Sequence, residues 1–201
     1  MKLQSTHGGR RSIRLRDYDY SQEGAYFVTL CTQDKICFFG TVDNGEMLVN
    51  VAGSMVDRAW SSLPETCPGI ELDEFKTMPN HLHGIVVLSG EPVLSGSDSV
   101  AGPPLILGEV VKRFKTWTLN RYIDGVKKAN WPRFSGRLWQ RNYYERVIRD
   151  ERELERIRHY IHYNPLGWED DDYHPSKKER RVGRSSDPLR FDSRDDGRRG
   201  R

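Results

Sequence analysis

At 201 residues the chain suits one domain of ordinary size with a tail, and its 36% hydrophobic content is too low for every segment to be core. No apolar run approaches the ~20 residues needed to cross a bilayer, and the N-terminus lacks a signal-peptide segment, so the expectation is a cytoplasmic protein with no membrane partner. The net charge of +3 conceals strong segregation: five basic and no acidic residues in 1–16, three against fourteen in 17–111, fourteen against six in 112–158, none against four in 159–176, and ten against five in 177–201. Basic blocks at both ends and in the second half of the core are how a polyanion footprint looks. Cys31, Cys37 and Cys67 are odd in number and lack CxxC spacing, which reads as reduced core thiols.

Residues 1–20 are basic and polar and read as an arm over the domain or its ligand. The run 26–32 is the first strand by β-branched and aromatic content. Segments 36–39 and 47–49, around Asp43-Asn44-Gly45, read as a hairpin. Val51, Met55, Val56 and Trp60 have helical spacing, ended by Pro64 and the Pro68-Gly69 turn. Residues 70–77 and 81–88 are the second and third core strands. A Gly-, Ser- and Pro-rich loop covers 89–104. Leu107, Val110, Val111 and Phe114 define a helix running to Ile123, and 137–148 is the closing strand. The order predicts an α+β fold, a ferredoxin-like antiparallel sheet with helices on one face.

The most informative residues lie in Met78-Pro79-Asn80-His81-Leu82-His83-Gly84-Ile85-Val86-Val87-Leu88. On a strand, side chains alternate, so both imidazoles share one face, about 6.6–7 Å apart along the chain. Rings at that spacing can lean onto one metal ion, each at about 2.0–2.2 Å. The histidines are expected on the exposed side of a half-buried strand. Such a pair also occurs in unrelated metal folds, so it suggests a metal without naming a reaction.

A second segment, 150–165, reads as a helix with both ends marked. Asp150 is a candidate N-cap with Glu153 three residues on, and Pro165 ends the helix. Leu154, Ile157 and Ile161 form the buried stripe. Tyr160 and Asn164 are an i, i+4 pair along one edge of it, placing a phenol beside a carboxamide. Tyr143 and Tyr144 are competing tyrosines on the closing strand, read as core or base-stacking residues; His159 and His162 are expected to be exposed.

Together, His-apolar-His on a strand and Tyr160-Ile161-x-x-Asn164-Pro165 on a late helix resemble the single-tyrosine HUH nucleases. The nearer resemblance is to the REP-associated tyrosine transposases. It extends through Arg10-Arg11-Ser12-Ile13-Arg14-Leu15, Gly24-Ala25-Tyr26-Phe27-Val28-Thr29 and Leu138-Trp139-Gln140-Arg141-Asn142-Tyr143-Tyr144-Glu145. The resemblance implies an HUH endonuclease domain over 21–168, between a basic arm (1–20) and a charged, disordered tail (169–201). It implies Tyr160 as the nucleophile forming a 5′-phosphotyrosine on single-stranded DNA, with His81, His83 and Asn164 holding Mg²⁺ or Mn²⁺. Asn164 stands where related enzymes often carry Gln, so the shorter side chain leaves direct coordination open. The implied partner is single-stranded or hairpin DNA with REP-like repeats, the protein being monomer or homodimer and nucleoid-associated when bound. Arg10, Arg11, Arg14, Arg16, Lys112, Arg113, Lys115 and Arg121 are the expected phosphate contacts, and Trp139 a base-stacking one. The alternative is a nucleic-acid-binding protein that keeps the fold without the catalysis.

Overall fold

The structure, a computed structural model, describes residues 23–90 and 105–177. The expected contacts of the basic arm, Arg10, Arg11, Arg14 and Arg16, lie outside the described residues. Alternating runs give four core strands: β1 (Gly24–Cys31), β4 (Ile70–Thr77), β5 (His81–Leu88) and β6 (Tyr144–Ile148). They form one antiparallel sheet in the order β4-β5-β1-β6. A two-stranded hairpin, β2 (Gly40–Asp43) and β3 (Glu46–Val49), is inserted after β1. Its two-residue turn puts Asn44 and Gly45 at φ 50° and 78°, the paired left-handed conformation that Asn-Gly adopts most readily. Two short helices follow, α1 (Val51–Ser61) and α2 (Leu63–Thr66). The long helix α3 (Leu107–Ala129) then leads to β6, α4 (Glu151–Tyr163) and a 3-10 turn over Asn164–Asp170.

The sheet divides two unequal cores. On one face Tyr26, Val28, Leu30, Leu82 and Val86 pack with Trp60 of α1 and Val110, Phe114 and Tyr122 of α3. Gly84 makes that packing possible, because a Cβ there would sit 2.5 Å from the Trp60 ring. On the other face Phe27 and Ile85 pack against Ile157 and Ile161 of α4. The α+β class and ferredoxin-like order are those expected, but the helices cover both faces rather than one. Two independent apolar stripes, one shared by α1 and α3 and one on α4, require two surfaces to bury them.

Local boundaries also differ. Residues 36–39 are not a strand: Phe38 and Phe39 enter the core, Phe39 N donates to the Pro79 carbonyl, and the Phe39 carbonyl accepts from Asn50 N. Helix α3 continues past Ile123 to Ala129, where Asn130 at φ 54° caps it. The closing strand begins only at Tyr144; ahead of it Trp139 makes an isolated bridge with Thr32, and Lys115 Nζ binds the carbonyls of Gln140 (2.8 Å) and Asn142 (3.2 Å). Cys31 and Cys67 are buried thiols as expected, whereas Cys37 is exposed. No helix among the described residues is long and apolar enough to cross a membrane.

Candidate active site

Strand alternation puts His81, His83 and Ile85 on the α4 face. Both imidazoles are completely buried, not exposed, because α4 and the chain after it close over them. Their Nε2 atoms are 3.1 Å apart. Two cis ligands at about 2.1 Å from one octahedral ion would be about 3.0 Å apart, so the separation suits a shared cation.

The proton on His81 can be assigned from its neighbours. Asn80 donates through Nδ2 to the carbonyls of Lys35 and Tyr173, both at 2.8 Å. Its Oδ1 is thereby fixed as the acceptor facing His81 Nδ1 at 2.9 Å. His81 therefore carries its proton on Nδ1 and presents a bare lone pair at Nε2. His83 Nδ1 lies 2.8 Å from Thr29 Oγ1, its cross-strand neighbour on β1. Burial drives the His81 pKa down to about 3, with the Asn164 amide opposing and the Lys35 charge adding to the fall. Burial, then the neighbouring His81, lowers that of His83 as well. Both rings are neutral at physiological pH, the form that ligates metals.

Helix α4 supplies the phenol. Its N-terminus is held as the sequence predicts: Asp150 accepts from Glu153 N at 2.8 Å. Glu153 in turn binds Arg146 Nε at 2.8 Å and Arg149 N at 3.0 Å. Arg158 clamps the helix to β4 through two bonds to Asp73, of 2.8 and 2.6 Å. Tyr160 then stands with its hydroxyl 3.2 Å from His83 Nε2. Its pKa is raised well above the ordinary phenol value, first by burial and then by Asp171 and Tyr173. Asn164 is buried, and its Oδ1 makes no hydrogen bond among the described residues.

The expected boundary after Trp168 falls inside the site. Trp168 is buried, and the Tyr173 ring packs at a tilt against His81 with centroids 4.7 Å apart. Between them Asp171 turns inward: Oδ2 lies 4.0 Å from His81 Nε2 and accepts from Asn164 Nδ2 at 3.3 Å. One ligand atom each from His81, His83 and Asp171 lies within 4.8 Å of the others. The acidic run reads as a solvated tail, yet flanking aromatics dock it. Thr29, Asn80, Asp171 and Tyr173 were not predicted; the signal was Trp168 and Tyr173 bracketing the acids.

Of the competing aromatics, Tyr144 packs edge-on against Phe27 on the site face, while Tyr143 packs with the α3 core. His159 and His162 are exposed, as expected. The predicted DNA contacts on α3 lie on the opposite face of the sheet, because Val110, Phe114, Thr118 and Tyr122 bury that helix there. Trp139 is corrected outright: it is core, stacked near Phe39 and Phe114, and its Nε1 donates to Thr118. Arg113 donates to the Thr66 carbonyl at 2.7 Å. Burial lowers the Lys115 pKa to about 8. Lys112 and Arg121 are exposed, the latter stacked 5.2 Å over Trp117, itself 40% exposed.

A ferredoxin-like sheet thus carries two inward histidines beneath the helix that bears Tyr160. A REP-associated tyrosine transposase, solved bound to a REP hairpin, superposes on it with a TM-score of 0.50 and 17% identity. The match covers 78% of this chain and 73% of that one, and it establishes the fold. A protein of Haemophilus influenzae (strain Rd), itself uncharacterized, is 38% identical over 174 residues, 81% of this chain and 91% of the relative. The chain belongs to one family with that protein. No protein-family model matches it.

Proposed function

We propose that the protein is a metal-dependent enzyme that nicks and joins single-stranded DNA at hairpin-forming repeats, a transposase of the REP-associated tyrosine type. The observation that carries this reading is the Tyr160 hydroxyl 3.2 Å from His83 Nε2, two groups 77 residues apart in the chain. Tyr160 also packs edge-on against Phe27, but its hydroxyl is aimed at the two imidazoles, which packing alone does not require.

In this reading His81 and His83, with the orphaned Asn164 oxygen, would hold Mg²⁺ or Mn²⁺. The donor set fits: bare nitrogens and an amide oxygen leave positions for waters and a phosphate oxygen. A bound divalent ion neutralises charge on the scissile phosphate and lowers the barrier to attack. Tyr160 Oη attacks phosphorus, forming the O–P bond as the P–O3′ bond breaks. The phenol proton is lost to solvent and the departing 3′ oxygen takes one up. The 5′-phosphotyrosine keeps the phosphoester energy, so a second 3′-hydroxyl can reverse the step on another strand.

Incubation with labelled hairpin DNA and Mn²⁺ tests this. The wild type is expected to give a denaturant-resistant protein–DNA adduct, and Tyr160→Phe to lose it while binding DNA within about twofold. Binding without any adduct in the wild type would leave the non-catalytic alternative standing.

A further inference from the structure

Within the same pocket Asp171 has surroundings that the metal reading does not by itself explain. Its side chain is 5% exposed, and its ion-pair neighbour among the described residues is His81, whose Nδ1 faces Asn80 Oδ1 and whose Nε2 lies 4.0 Å from the carboxylate. Burying a carboxylate without a cation is costly. One oxygen is accounted for: Tyr173 N donates to Oδ1 at 2.6 Å. The other, Oδ2, is held by Asn164 Nδ2 at 3.3 Å and turned toward the two histidines. Asn164 Oδ1 is meanwhile buried with no hydrogen bond among the described residues. His81 Nε2, His83 Nε2 and Asp171 Oδ2 therefore converge, and the amide that holds Oδ2 has its own oxygen unpaired among the described residues.

We propose that Asp171 is a ligand of the catalytic cation, supplied by the chain beyond α4. The inference rests on His81 and His83 being metal ligands. Opposite ligands at about 2.1 Å from one ion are about 4.2 Å apart. The histidine and Asp171 donor atoms span at most 4.8 Å, so a few tenths of an ångström from each closes the set. The assignment bears on selectivity: two imidazoles alone favour later transition metals, whereas an added carboxylate shifts preference toward Mg²⁺ or Mn²⁺. It also bears on order. Asp171 stands between Trp168 and Tyr173, so cation binding ties the C-terminal segment down over the histidines. Metal affinity and protection of residues 169–177 become one linked quantity.

The test is titration of the full chain with Mn²⁺, followed by loss of the free-ion electron paramagnetic resonance signal. Asp171→Asn, nearly isosteric, should weaken binding about 10- to 100-fold, Asp171→Glu should recover part of that, and Asp172→Asn should stay within about twofold. Hydrogen exchange gives a second measure: Mn²⁺ should slow exchange across 169–177 in the wild type and fail to do so in Asp171→Asn. If Asp171→Asn binds like the wild type while His81→Ala and His83→Ala do not, the carboxylate is no ligand. Unchanged exchange in the wild type on Mn²⁺ binding would also overturn it. If the histidine variants also bind like the wild type, the metal reading of the site falls first.

Discussion

Asn80 offers the sharpest separation between holding the fold and preparing the site. Its buried carboxamide makes three hydrogen bonds: to the Lys35 carbonyl, to the Tyr173 carbonyl and from His81 Nδ1. Asn80→Ala removes all three. At about 1 kcal/mol net for each, the loss is about 3 kcal/mol. For a domain of this size that corresponds to a melting temperature lower by about 6–12 °C. The same change frees His81 to place its proton on Nε2, so Mn²⁺ affinity should fall about 10- to 100-fold. Asn80→Asp separates the two effects. It keeps an oxygen acceptor for Nδ1–H while losing both donations to carbonyls, so melting should drop and metal affinity should hold within about threefold. Thermal melts and Mn²⁺ titrations on the three proteins measure both quantities. If Asn80→Ala lowers stability but binds Mn²⁺ like the wild type, the tautomer argument is wrong and Asn80 is a strut.

The remaining predictions concern the helix that carries Tyr160 and the surface behind the sheet. Arg158→Ala should cost about 1 kcal/mol, since the pair is partly exposed, and lower nicking more than DNA binding by loosening α4. The Arg158 guanidinium holds the Asp73 carboxyl below its usual range, so the clamp's contribution is complete above pH ~4 and lost as pH falls through the native Asp73 value. The stability gap between wild type and Arg158→Ala, measured by denaturant titration, should therefore close on acidification; a gap that widens would refute the assignment. On α3, Lys112→Ala with Arg121→Ala should flatten the slope of log affinity for hairpin DNA against log salt by about 1.8, at ~0.9 per phosphate of the duplex stem. Lys115→Met should instead lower stability and leave the slope intact, because its ammonium is spent on the 140–142 carbonyls; an unchanged slope in the double variant would remove α3 from the DNA surface.

Legibility of this molecule in its sequence follows how local each cause is. Strand alternation places His81 and His83 together, the i, i+4 relation places Tyr160 beside Asn164, and the Asp150 cap is a three-residue pattern; each is decided within one element. What escapes is decided between elements. Whether α4 shares a face with α3 depends on which side of the sheet has room, and α1 and α3 already fill one side with Trp60, Phe114 and Tyr122. Trp139 looks like a stacking residue until Phe39, Phe114 and Thr118 surround it. Asp171 looks like one acid in a solvated run because its anchors, Trp168 and Tyr173, dock on a histidine about 90 residues earlier in the chain. The charge pattern was legible as a pattern but not as a location. Much of the basic second half lies on α3 and the segment after it, while the histidines and Tyr160 lie across the sheet beside Glu169–Asp172. A polyanion gripped by Lys112 and Arg121 therefore cannot present a phosphate to Tyr160 directly. It must turn the edge of the sheet first, as a duplex stem leading into a flexible single strand can do.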